Sequence, residues 1–317
     1  MVAARQTARP AKRVRVIVTC THRKSRPVPT SLRLRGVTSV RTPTRLRTWM
    51  TRLAETSVSP APALDLYAGE HWDVARRLAR TRPTGTPVEL WVCSAGYGLI
   101  PAAAPIVPYA ATFAAGNPDS VPDGTVGARA WWDALSEWAG PIGGTRTLSD
   151  LVGSDSKSRV LLVLSATYLN ACREDISRAI ARIADTKQLS IISAGTKDDG
   201  ELKNFLLPCD ARMQTAVGGT RQALNVRAAE YLLAASIVDH DEMSEALGKL
   251  LADQPAIARY ERLPASDAEV RAFIHARLRI NPGATHSRLL REFRDKNRAC
   301  EQVRFAGLFV AETGVYP

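Results

Sequence analysis

Val14-Arg15-Val16-Ile17-Val18-Thr19-Cys20 is an almost unbroken apolar run that stops at a small polar residue, and residues 88–95, 159–165 and 188–194 repeat the pattern. Continuous rather than alternating Val, Ile and Leu marks strands covered on both faces, as in a parallel sheet. Helical periodicity lies between the runs, at 44–55, 71–81, 128–139 and 170–185, and after them at 220–236 and 241–252. The reading is an α/β fold: a central four-stranded, mostly parallel sheet flanked by helices. Ligands of such sheets sit beyond the carboxyl ends of the strands. Cys20-Thr21, Ser94, Ser165-Ala166-Thr167 and Ser193-Ala194-Gly195 are therefore expected to line one crevice.

The chain has 317 residues, 45% of them hydrophobic and 23% charged, the balance of an ordinary globular protein. No apolar run approaches the roughly 18 residues that span a bilayer, and no secretory core is present, so no membrane partner and a cytoplasmic location are expected. The five cysteines are scattered and form no CxxC pair, which suits a reducing compartment and argues against zinc. With no metal cluster and no nucleotide-binding fingerprint, no cofactor is expected.

The net charge of +12 is unevenly distributed. Residues 1–52 hold fourteen Lys or Arg and no acid, and residues 271–304 hold nine against three acids. Cationic patches on an otherwise balanced chain are the footprint of a polyanion binder. Residues 1–12 read as a disordered basic arm and 13–258 as the α/β domain. Residues 262–317 read as a small helical module. There Ser266 caps a helix over 267–279, Asn281-Pro282-Gly283 stops it, Thr285 caps a second to about Phe293, and a third covers 298–310. Three short helices carrying Arg288, Arg291, Arg294, Arg298 and Arg304 resemble a helix-turn-helix unit. Alternatively the module is a cap on the sheet, with Phe293, Phe305 and Phe309 as its core.

Ser94-Ala95-Gly96-Tyr97-Gly98-Leu99-Ile100-Pro101, followed by Pro105-Ile106-Val107-Pro108-Tyr109, resembles the S-x-x-Y-G-L-hydrophobic-P … I-x-P-Y signature of YaaA-like proteins. Upstream, Leu66-Tyr67-Ala68-Gly69-Glu70-His71-Trp72 resembles the LY-x-G element of related bacterial and phage-encoded domains. The likeness covers about residues 64–112. It implies the uracil-DNA-glycosylase-like superfamily, with relatives among archaeosine-synthesis proteins and phage-defence DNA glycosylases. The basic arm and the C-terminal module depart from YaaA proper.

The residues themselves are compatible with a pocket. Gly96 and Gly98 permit a tight turn and close backbone approach. Tyr97 and Tyr109, with Tyr67 and Ser94, either flank a planar substrate or pin the long 101–127 loop to the sheet. His71 is placed to donate to a leaving base, and Trp72 is core. Asp65, Glu70 and Asp210 are the carboxylates available to stabilise an oxocarbenium-like transition state. Gly218-Gly219-Thr220-Arg221 opens a helix and reads as a phosphate seat, with Asn225 one turn inside as a substrate contact. Lys24, Arg288 and Arg291 are further phosphate contacts.

The expected function is a DNA glycosylase that flips a nucleotide out of double-stranded DNA and excises its base, leaving an abasic site. The resemblance implies a modified base, as in hypermodified phage DNA, and a defence role. Three other readings compete: a non-catalytic YaaA-type DNA-binding stress protein, a base transglycosylase, and a regulator built on the C-terminal module.

Overall fold

The computed structural model describes residues 13–38, 42–121, 124–140, 143–155, 157–183, 185–197, 200–256 and 261–314. The expected arm at 1–12 lies outside them. The chain divides into two compact units, 1–255 and 256–317.

Unit 1 begins with β1 (Val14–Thr19), α1 (Thr42–Glu55), β2 (Ala61–Pro62), α2 (Ala63–Leu66) and α3 (Glu70–Leu78). Then come β3 (Val88–Ser94), β4 (Gly98–Pro101), β5 (Pro105–Ile106), α4 (Gly124–Glu137) and α5 (Leu148–Gly153). It continues with β6 (Arg159–Val163), α6 (Ala166–Ala171), α7 (Arg173–Ile180) and β7 (Leu189–Ile192). It ends with α8 (Gln214–Val217), α9 (Leu224–Ala234) and α10 (His240–Ala252).

The sheet order is β4-β3-β1-β6-β7, with β3, β1, β6 and β7 parallel and β4 antiparallel at one edge. All residues of β1, β6 and β7 are buried, the consequence of helices on both faces. The sheet thus has five strands rather than four. The extra one arises because the chain reverses at Gly96-Tyr97-Gly98 and pairs Gly98–Pro101 back onto β3. Gly98 adopts φ +73°, which an L side chain resists.

From β1 the chain crosses to β3 on one side and later to β6 on the other, so β1 is where the winding changes direction. A crevice is expected beyond its carboxyl end. The helical run expected over 170–185 is instead two short helices that meet at Cys172. The segment 105–113 is mostly packed into the core rather than a free loop.

Unit 2 carries β8 (Leu263–Pro264), α11 (Asp267–Ile280), α12 (His286–Asp295), β9 (Arg298–Ala299) and α13 (Gln302–Thr313). Ser266 and Glu269 form a reciprocal capping box on α11, and Thr285 accepts from the Arg288 amide to cap α12. The third helix starts at Gln302, not 298. Arg298 and Ala299 pair with β8, and the Glu301 carboxylate caps α13 by accepting from the Val303 and Arg304 amides. Phe293, Phe305 and Phe309 are core side chains of this unit.

Candidate functional site

The carboxyl ends of β1 and β3 meet where the Cys20 amide donates to the Cys93 carbonyl at 3.0 Å. Beside them lies Ser94, whose Oγ accepts from the Gly96 and Tyr97 amides at 3.2 and 3.0 Å. The same oxygen is 2.7 Å from the Tyr109 hydroxyl and 3.3 Å from the Tyr67 hydroxyl, and the two phenols are 2.9 Å apart. One serine therefore closes the turn and gathers two tyrosines from separate segments. Burial pushes both phenols well above their ordinary pKa, so they are neutral hydroxyls.

The turn is fastened from outside as well. The Trp49 and Trp131 indoles donate to the Gly96 and Ala95 carbonyls at 3.0 and 2.8 Å. Arg146 reaches the Leu99 carbonyl at 3.0 Å and also bonds the Tyr97 carbonyl. A Cβ on Gly96 would lie 2.4 Å from the Tyr109 ring, and one on Gly98 would press on Arg146 and Leu135. Both glycines thus serve close packing within the protein, not approach of a ligand.

Tyr97 and Tyr109 do not sandwich a planar group. Their centroids are 5.2 Å apart at 77°, edge to face, and Tyr97 also stacks on Trp138. Both rings are buried, and the Tyr97 hydroxyl accepts from the Val107 amide at 3.2 Å. Of the two alternatives open in the sequence, pinning of the 101–113 segment is the one found.

Lys24 is not a solvated phosphate contact. An isolated bridge between Lys24 and Tyr67 turns its half-buried side chain inward. The ammonium lies 5.0 Å from the Tyr67 centroid and 4.4 Å from that of Tyr109. It donates to the Thr21 and His22 carbonyls at 2.6 and 3.3 Å. Burial, with no carboxylate to oppose it, pushes its pKa down to about 8. Cys20 adjoins this group, its Sγ 3.1 Å from the Tyr168 hydroxyl. Tyr168 lies in the first turn of α6, beyond the carboxyl end of β6, and Phe113 packs edge-on against it. The sequence reading passed over Tyr168, although its distance from Ser165 was a usable signal. His71, at the start of α3, brings Nε2 to 3.5 Å from Thr19 Oγ1, and burial pushes it down to about 4. It is therefore a neutral imidazole at physiological pH.

Two of the three expected carboxylates, Glu70 and Asp210, are engaged elsewhere. Glu70 accepts from the Thr220 amide at 3.1–3.2 Å and from Arg227 at 2.7 and 2.9 Å. Those bonds from Thr220 and Arg227 hold it below the usual carboxylate range. The seat formed by Gly218 and Gly219 does take an anion, but that anion is Glu70: a Cβ on Gly219 would fall 2.1 Å from both Glu70 and Arg227. Arg221 is exposed beside it. Asp210 caps the turn at 211–213 and is forked by Arg212 at 2.7–3.0 Å, which holds its carboxyl low. Asn225 accepts from the Ala194 amide and donates to the Leu164 carbonyl, both at 2.8 Å. Its amide splices the ends of β6 and β7. Asp65 is exposed, and its backbone carbonyl accepts from Ser25.

In unit 2, Arg288 and Arg291 are exposed on α12, Arg288 loosely paired to Glu292 at 3.4 Å. A shallow cleft of about 330 Å³ is lined by Ser287, Arg291, Arg294 and Gln302 among others. Among the described residues no group of three or more His, Cys, Asp or Glu is placed to hold a metal ion, and no helix is long and apolar enough to cross a membrane. No protein-family model matches this chain, and no curated protein or solved structure matches it.

Proposed function

We propose that unit 1 is an enzyme that cleaves the bond between a base and its sugar in DNA, leaving an abasic site. The observation that carries this reading is a lysine ammonium with no carboxylate partner among the described residues, held over two tyrosine rings at the carboxyl end of the central strand. Cleavage of an N-glycosidic bond builds positive charge on the sugar. Aromatic faces attract such charge by roughly 0.5–2 kcal/mol each. Once Lys24 has given up its proton, the faces of Tyr67 and Tyr109 take the part that sequence reasoning assigned to Asp65, Glu70 and Asp210. His71 beside Thr19 is a neutral imidazole and adds no charge to the group.

The cationic N-terminal stretch and the arginines of α12 suit a phosphate backbone. The likeness to glycosylase-fold proteins favours a modified base, of the kind found in hypermodified phage DNA, and a part in defence. Incubation with unmodified and hypermodified phage DNA, followed by an assay for alkali-labile sites, tests the proposal. Strand breaks after alkali are expected on modified DNA. Salt-sensitive binding without abasic product on any DNA would instead establish the non-catalytic alternative.

A further inference from the structure

Three features set Lys24 apart from an ordinary surface lysine. Its chain segment is bridged to Tyr67, so the side chain is directed inward. Its nitrogen lies on the faces of Tyr67 and Tyr109, whose hydroxyls are tied to each other and to Ser94. Among the described residues its hydrogen bonds are to the carbonyls of Thr21 and His22 in its own turn, which hold the nitrogen in place without neutralising it. The side chain is half-buried, and its ammonium is withdrawn from solvent against the two rings. Unpaired, desolvated lysines of this kind carry an appreciable neutral fraction near neutral pH, which makes them nucleophiles. The His22–Lys24 bond lies on the exposed side of the turn.

We infer that Lys24 is a covalent catalyst: its amine attacks C1′ of the nucleotide and displaces the base. This rests on the base-excision reading above. The nitrogen lone pair forms the N–C1′ bond as the C1′–base bond breaks. The base leaves with that electron pair and takes the proton released by the amine. The furanose then opens: the C1′–O4′ bond breaks, O4′ accepts the remaining nitrogen proton, and an imine joins Lys24 to C1′. Water adds to the imine and releases the amine and an abasic aldehyde. Water is the only co-reactant, and nothing is oxidised or reduced. The rings that now hold the ammonium would hold the cationic forms of this intermediate in the same place.

The test uses the full-length protein with a duplex oligonucleotide carrying one preformed abasic aldehyde, in the presence of borohydride, which reduces an imine to a stable amine. A covalent adduct is expected, with mass spectrometry placing it on Lys24. Lys24→Arg and Lys24→Gln should each lower its yield at least tenfold while unfolding at or above the wild-type temperature. An adduct on other lysines, or none, overturns the inference. In parallel, the variants are assayed on whichever DNA yields abasic sites with the wild type. Abasic sites formed by Lys24→Gln at the wild-type rate would remove the covalent role yet leave base excision standing. Trapping at Lys24 on the preformed aldehyde with no excision from any intact DNA would support the reactive amine while ending the base-excision reading.

Discussion

An ammonium held on aromatic faces, with no counter-ion among the described residues, costs the folded state stability. The folded pKa of Lys24, about 8, lies below the unfolded value of 10.5, so the folded state binds fewer protons between them. The penalty is therefore complete below pH 8 and fades as pH rises towards 10.5. Lys24→Met should stabilise the protein by about 1–3 kcal/mol at pH 7 and by much less at pH 10, read from urea unfolding at both. A loss of stability at pH 7 would mean that the ring contacts outweigh desolvation. His71 follows the same sign: its folded pKa of about 4 lies below 6.5, so its contribution is lost as pH falls from 6.5 to 4. The loss is at most about 3 kcal/mol, and His71→Gln should flatten that part of the pH–stability curve relative to wild type.

At the scale of elements, the hairpin from β3 to β4 holds the site together, and its fastening is almost all side chain to backbone. Arg146 is buried and reaches carbonyls of Leu99, Leu135 and Trp138 at 3.0–3.1 Å, besides that of Tyr97. Arg146→Met would strand those carbonyls and should cost about 2–4 kcal/mol, measured by denaturant unfolding. Gly96→Ala should cost at least as much, since the added methyl meets the Tyr109 ring at 2.4 Å in a turn fastened on several sides. A variant as stable as wild type would show that the turn is freer than its bonds imply. Asn225 plays the equivalent part at the ends of β6 and β7, so its loss should act on folding before chemistry.

For the whole molecule, the relevant property is charge. Arg288 and Arg291 stand exposed on a helix capped at Thr285 and anchored through Leu289, Leu290 and Phe293. If α12 tracks phosphates, each Arg→Ala change should lower the slope of log K against log salt by about one and weaken binding to all sequences alike. An unchanged slope in titrations across salt concentrations would remove α12 from the DNA contact. Base excision on short oligonucleotides should then survive both changes, because neither residue belongs to the Lys24 group.

The sequence by itself determined the four parallel strands, their burial on both faces and the helical C-terminal unit; the antiparallel fifth strand, β4, came only with the structure. Apolar runs report burial on both faces directly, and a strand's end is visible where the run stops. Tertiary structure decided the partners. Glu70 meets Thr220 and Arg227 some 150 residues away, and a glycine-rich turn does not say whether its anion is a ligand or the protein's own carboxylate. Lys24 reads as a phosphate contact until its ammonium is seen on the faces of Tyr67 and Tyr109. Tyr97 and Tyr109 read as a stacking pair until their rings are seen edge to face. Local pattern encodes whether a side chain is buried, whereas its orientation and partner are set by packing between segments that are distant in the chain.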